Sequence, residues 1–228
     1  MLENYRTMYI QSVSPTSPTY RGPFNRFIHS TVLLGPQFKD VVRSNNDTLY
    51  SSAWLDLWAE PIVISVPAIT DRYYSFQLVD LYTYNFAYIG TRATGTAAGS
   101  YLVAGPSWQG DKPSGVDAVF RSEGNFVFCI VRTAVDGQED VPNVAAIQQQ
   151  YRLRSLSAFL GQPAPIGTAP GSFPAYDSAK AESADFIAYF NFLLGQLVVD
   201  PSEKDLIAKF GQIGVGPNRP FDASSLDA

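Results

Sequence analysis

From residue 49 to residue 135, short runs alternate apolar and polar side chains, and each run stops at a glycine, a proline or an Asx turn. That two-residue period, rich in Val, Ile, Tyr and Phe, belongs to half-buried strands rather than helices. Ile62, Ile64 and Val66 line one face of a short strand ended by Pro67. Thr70-Asp71 turns into the run Arg72 to Tyr82, the longest strand by sequence. Ala93 to Ser100 is a loop, and Tyr101 to Ala104 is stopped by Gly105-Pro106. Residues 107–115 form a turn-rich loop around Trp108, and Val116–Arg121 and Asn125–Thr133 read as a hairpin across Ser122-Glu123-Gly124. Many short strands divided by such turns predict a sandwich of jelly-roll type.

The period changes after residue 136. Asp140 followed by Pro142 predicts a helix start, with Gly161 closing the helix after Leu160. Residues 161–176 are a Pro/Gly/Ala linker. Phe186, Tyr189, Phe190, Leu193, Leu194 and Leu197 then recur at helical spacing, which predicts an amphipathic helix over 183–197. Asp200-Pro201-Ser202-Glu203 has the N-cap and first-turn residues of a third helix, expected to bury Leu206, Ile207 and Phe210. The chain divides into an extended arm with one short helix (1–40), where Pro15, Pro18, Pro23 and Pro36 forbid anything long, a β-sandwich (41–136), a helical segment packed on it (137–217) and a tail (218–228).

Composition narrows the function classes. Charged residues are only 16% against 46% hydrophobic, with 13 Tyr, 15 Phe and 3 Trp, which suits large packed sheet faces. The net charge of −5 and the lack of any Lys/Arg run argue against nucleic acid or an anionic membrane as partner. One cysteine, Cys129, forbids an internal disulfide and reads as a buried hydrophobe. One histidine, His29, and one cysteine are too few for a zinc site, and no Gly-x-Ser-x-Gly elbow accompanies His29. No phosphate loop, dinucleotide fingerprint or other cofactor signature is present; Gly95-Thr-Ala-Ala-Gly99 lacks the spacing. The expectation is a soluble chain with no bound cofactor or metal and no visible signal peptide, its compartment unassigned.

Several motifs together carry a family resemblance. They are Asn46-Asp47-Thr48-Leu49-Tyr50-Ser51, Leu55-Asp56-Leu57, Pro61 to Pro67, and Asp71-Arg72-Tyr73-Tyr74. Phe76-Gln77 with Asp80, Phe86 with Ile89-Gly90-Thr91-Arg92, and Gly105-Pro106 with Trp108 and Gly110 continue the order. Arg132-Thr133 and Glu139-Asp140 close it. The chain resembles, over roughly residues 25–217, the bacterial domain-of-unknown-function family numbered 1254. The resemblance implies β-sandwich domains of jelly-roll type, similar in shape to a glycan-releasing amidase, with a second β domain numbered 1214 usual in members. It supplies no substrate and no catalytic residues.

The residues that could carry chemistry each have two readings. In the strand 73–81, Tyr74, Phe76, Leu78 and Asp80 share a face; in 126–133, Phe126, Phe128, Ile130 and Arg132 do. Each apolar face ends in a charge, so Asp80 is expected to pair with Arg132 or Arg92, either as a strand pin or as part of a site at the sandwich's open end. The run Arg43 to Leu57 holds a polar knot at Asn45-Asn46-Asp47-Thr48, which is either a turn or the rim of a cleft. Asp47, Asp56 and Asp80 are the carboxylates a glycan or amide hydrolase would use. Asn46, Arg72, Tyr74, Arg92, Trp108 and Arg132 are the ligand-binding candidates, with Arg72 offering a planar fork for a carboxylate and Trp108 a stacking wall. Two classes therefore stand: a module binding a carbohydrate or other small molecule, or half of a two-domain body; and a hydrolase. An exposed part of the 186–197 stripe would make a homo-oligomer contact.

Overall fold

The computed structural model describes residues 1–35, 38–39, 45–166 and 171–225. Pro36, Arg43, Ser44, the boundary at 40/41, residues 167–170 of the linker and the end of the tail lie outside the described residues. The order begins with α1 (Leu2–Met8), extended by a wider π-helical turn, and β1 (Ile28–His29). There follow β2 (Thr48–Asp56), β3 (Ile62–Val66), β4 (Tyr74–Val79), β5 (Asn85–Gly90), β6 (Gly99–Ala104), β7 (Ala118–Arg121) and β8 (Phe126–Ala134). Then come α2 (Val141–Gln148), β9 (Arg152–Ser155), α3 (Leu156–Leu160), α4 (Ser178–Ala181), α5 (Phe186–Leu194) and α6 (Lys204–Phe210).

The chain is mainly β. A five-stranded antiparallel sheet runs β1-β2-β8-β4-β5, and a four-stranded sheet runs β7-β6-β3-β9 with one parallel pair, β6 with β7. Alternation sends Leu55, Phe76, Cys129 and Val131 inward from the first sheet to meet Ile64, Tyr101 and Val103 of the second. Burying each such side chain is worth about 1.5–3 kcal/mol. Cys129 is fully buried there, and burial pushes its thiol pKa up.

Three sequence expectations are corrected. Residues 116–133 do not form a hairpin: β7 joins the second sheet and β8 the first. The chain crosses between them at 122–125, where Asn125 N–H donates to the Gln196 carbonyl and Gly124 bridges Leu197, so those backbone groups are satisfied by residues from the far helical layer. The helix expected over 140–160 breaks after Gln148, whose buried side chain donates to the carbonyls of Ser30 and Tyr50. Arg152–Ser155 instead fills the open edge of β3, with Ile62 opposite Ser155, and edge pairing overrides helical spacing. The longest strands are β2 and β8, nine residues each, whereas β4 has six.

The helices form a layer over part of the first sheet's outer face. Tyr189, Leu193 and Leu194 of α5 are buried, and the first two pack with Tyr5 and Met8 of α1, with Trp54 and Phe126 of the sheet and with Leu81 just after β4. Phe186, by contrast, is 41% exposed. The Asp200 carboxylate accepts from Ser202 as a cap should, yet α6 leaves Leu206 and Phe210 exposed, against the expected burial. The second sheet's outer face is covered too: Val63, Leu102 and Val116 lie under Trp108, Leu156 and Phe159.

Candidate functional site

The three candidate carboxylates do not converge. Asp47 is exposed before β2 and Asp56 ends the same strand, so the nine residues of β2 hold them apart by roughly 3.3 Å per residue. Asp80 directly follows β4 and is only 4% exposed. Its Oδ1 accepts from Tyr84 N–H across a turn in which Thr83 takes a positive φ of 76°. Burial pushes the Asp80 pKa up, and N–H groups of Tyr84, Tyr82 and Thr83 oppose the shift. Asp56 is likewise raised by burial and opposed by Trp58 N–H, which donates to its Oδ1 at 2.9 Å. Asn25 grips the Asp56 backbone with both ends of its amide. Asn46 is exposed in a turn organised by Asn45, whose Oδ1 accepts from the N–H groups of Asp47 and Thr48.

The expected pairing of Asp80 with Arg132 or Arg92 is absent. The face that carries Arg132 is the sheet's outer face; its apolar part, Phe126 and Phe128, meets the helical layer, and Arg132 lies beyond it. Arg132 Nη1 donates to Gln77 Oε1 at 2.8 Å, and its guanidinium stacks on Tyr50 at 5.4 Å. It needs no carboxylate because it is not trapped in the core.

Arg72 is engaged by the protein itself. Its fork meets Asp140 at 2.6 and 3.3 Å, with both side chains 15% exposed, and a third contact goes to Asp71 at 3.1 Å. Asp140 also accepts from Asp136 N–H and Asn143, and Arg72 foremost holds its carboxyl well below the usual range. A depression of about 530 Å³ opens here, lined by Asp71, Arg72, Asp136, Glu139 and Asp140. The guanidinium that would receive an anion is already neutralised, so this is a tie between the start of β4 and the start of α2. Trp108 is partly buried over the second sheet, with Arg121 stacked on it at 5.0 Å and donating to its carbonyl. His29 Nδ1 lies 2.8 Å from Ser51 Oγ, but Ser51 is 1% exposed. Burial first, then the Arg152 charge, lowers the His29 pKa. Among the described residues no cluster of His, Cys, Asp and Glu suits a metal ion, and no helix is long and apolar enough to cross a membrane.

Two further concavities open, a depression of about 400 Å³ lined by Arg21, His29, Val32 and Tyr50, and a notch of about 310 Å³ on the first sheet. Register puts Tyr50, Arg132, Ser75 and Gly90 in one row across four strands, and Ser52, Ile130, Gln77 and Tyr88 in the next. Gly90 and Ser75 make a floor almost without side chains. Gly90 has φ of 141°, and a Cβ there would collide with the Tyr74 carbonyl oxygen. Tyr88, 45% exposed, and Tyr73, 39% exposed, stand as walls. Arg92 lies over the Tyr73 ring at 5.6 Å. The turn that carries Arg92 is firmly held: the Gly90 carbonyl accepts from Ala93, Thr94 and Gly95, Thr91 exchanges bonds with the Tyr74 backbone, and Tyr74 Oη donates to Gly95 O.

Of the binding residues expected from sequence, Arg92 and the Tyr74 backbone line this notch, and Arg132 borders it; Asn46, Arg72 and Trp108 lie elsewhere. Tyr73, Ser75, Tyr88 and Gly90 also line it and are not among the site residues expected from sequence. Alternation through Phe86-Ala87-Tyr88-Ile89 was the available signal, because Ile89 inward requires Tyr88 outward.

A family model described as "Protein of unknown function (DUF1254)" matches residues 24–155, more than half of the chain, and the chain belongs to that family. In the crystal structure of the VPA0106 protein from Vibrio parahaemolyticus, 51% of that protein aligns with 99% of this chain at 28% identity and a TM-score of 0.76. The chain therefore spans about half the length of that relative. A protein from Burkholderia cenocepacia is similar only at a TM-score of 0.34 and 14% identity, over 51% of this chain and 32% of the other. No curated protein matches the chain.

Proposed function

We propose that this member of the DUF1254 family is a non-catalytic module that binds a ring-bearing small polar ligand, a sugar unit foremost, in the notch on the first sheet. One observation carries the reading: two exposed tyrosines, Tyr73 and Tyr88, flank a floor that Gly90 and Ser75 keep bare. Flat rings presented beside backbone polar groups are the usual means of holding a sugar face, with an apolar wall and a few fixed polar contacts. The dispersal of Asp47, Asp56 and Asp80 supports binding over hydrolysis, which needs two carboxyl groups within roughly 5–9.5 Å across one bond. The jelly-roll class is part of the same proposal, supported by the pairing of β2 with β8, the two longest strands, which lie near opposite ends of the β region. So is service as one half of a larger body, supported by the length of the Vibrio relative.

The test is a two-dimensional amide NMR titration with a panel of monosaccharides and short oligosaccharides. Shifts should concentrate at Ser75, Tyr88, Gly90 and Arg92. Tyr88→Ala should weaken binding by about tenfold, equivalent to ~1.4 kcal/mol. Shifts confined to the Trp108 loop or to the Asp140 depression, or no saturable shift with any member of the panel, would overturn the reading.

A further inference from the structure

The charge of the notch points to one chemical class of ligand, and this step rests on the binding reading above. We infer that the ring held between Tyr73 and Tyr88 carries a carboxylate, as a uronic-acid sugar does, and that Arg92 receives it. The chain is acidic, with a net charge of −5, yet this end of the sheet is basic. Neither outward row across the four strands contains an Asp or Glu. The ion pairs among the described residues are Arg6 with Glu3 and Arg72 with Asp71 and Asp140; Arg92 and Arg132 enter none. Both guanidiniums are instead held by tyrosine faces, Arg92 on Tyr73 and Arg132 on Tyr50. A stacked guanidinium keeps its edge N–H groups free for a planar, two-point partner, and carboxylate has that geometry.

The contrast with Arg72 is instructive. There the same fork is filled by Asp140 and the depression beside it is rimmed with acids. At the notch the fork of Arg92 is unfilled, the turn that bears it is fixed by six bonds that each involve a backbone group, and the neighbouring walls are aromatic. Such pre-ordering lowers the cost of binding because little side-chain and loop freedom remains to be lost. Arg132 lies one strand beyond Ser75 and adds field without occupying the notch.

Isothermal titration of the full chain with galacturonate, trigalacturonate, galactose and sodium acetate separates the possibilities. Galacturonate should bind about tenfold or more tightly than galactose, as one charge-assisted contact gives. Its affinity should fall with added salt, while that of galactose should not. Arg92→Gln should remove the preference for the acid and leave the thermal melt unchanged, whereas Tyr88→Ala should weaken both sugars. Tighter binding of the trimer than of the monomer would assign a polymeric source, and equal binding a free sugar acid; both support the inference. If galactose and galacturonate bind alike and Arg92→Gln changes neither, the acid assignment fails while the binding module stands. If acetate binds as well as galacturonate, the ring contribution fails. If no sugar binds, both readings fall together.

Discussion

The two ends of the first sheet's outer face are built by the same strands and end in opposite environments. At one end Trp54, Phe126 and Phe128 lie under α1 and α5, with Leu193 and Tyr5 fully buried against them. At the other, four to six residues along β2 and β8, the outward positions hold Tyr50, Arg132, Ser75 and Tyr88, none of which joins the cluster under α1 and α5. Strand pairing is continuous between the ends, so the difference is not one of backbone. It comes from which side chains face outward: large apolar groups recruit a helical layer, while tyrosine and arginine remain stable in water and keep a ring face available.

Substitutions on each end should separate these roles, and the largest effect belongs to the covered end. Phe126→Ala should cost about 3–5 kcal/mol in urea unfolding, because the helical layer cannot collapse into the space. A cost below about 1 kcal/mol would mean that the layer is not packed as described. Asp140→Asn comes next, at about 1.5–3 kcal/mol, since it leaves Arg72 with only the exposed Asp71 as its ion-pair partner. The sign with pH follows from the lowered Asp140 pKa. The stabilisation is complete above the unfolded carboxyl value of about 3.9 and is lost as pH falls toward the folded value, so parent and variant should converge below about pH 4. Melts that stay parallel down to pH 2 would remove Asp140 from the tie.

Gly90→Ala tests the open end from below. Its strained φ and the collision with the Tyr74 carbonyl should cost about 1–3 kcal/mol, read from the shift in urea midpoint. The smallest change is expected from Tyr88→Ala, within about 0.5 kcal/mol of the parent. A larger loss would show that Tyr88 supports the fold, and the contrast between the two ends would narrow to a difference in solvation.

Much of this architecture could be read from the residues, and the failures share a cause. The two-residue period placed the strands, and the stripe at Tyr189, Leu193 and Leu194 located α5 and its buried face. The end of the α2 helix at Gln148 was not legible because it is decided by the carbonyls of Ser30 and Tyr50, far away in the chain. The supposed hairpin at 122–124 failed for the same reason, its backbone partners being Gln196 and Leu197. For the site, charged residues at strand ends drew the eye to Asp80 and Arg132, but alternation alone does not say which sheet face is inward. The notch depends on Tyr88 and Gly90 standing outward beside β4, a cross-strand fact that periodicity within one strand cannot supply.

Cys129 gives the molecule a practical property. It is the chain's one thiol, enclosed between the two sheets and held in its unreactive protonated form. A cysteine introduced at an exposed position such as Ala93 would therefore take up a maleimide dye alone in the native state, placing a reporter at the rim of the notch. In the parent chain, disulfide exchange with an aromatic reagent would proceed only when the sheets part. The same atom then serves as a clock for whole-molecule opening, readable by absorbance without any engineered label.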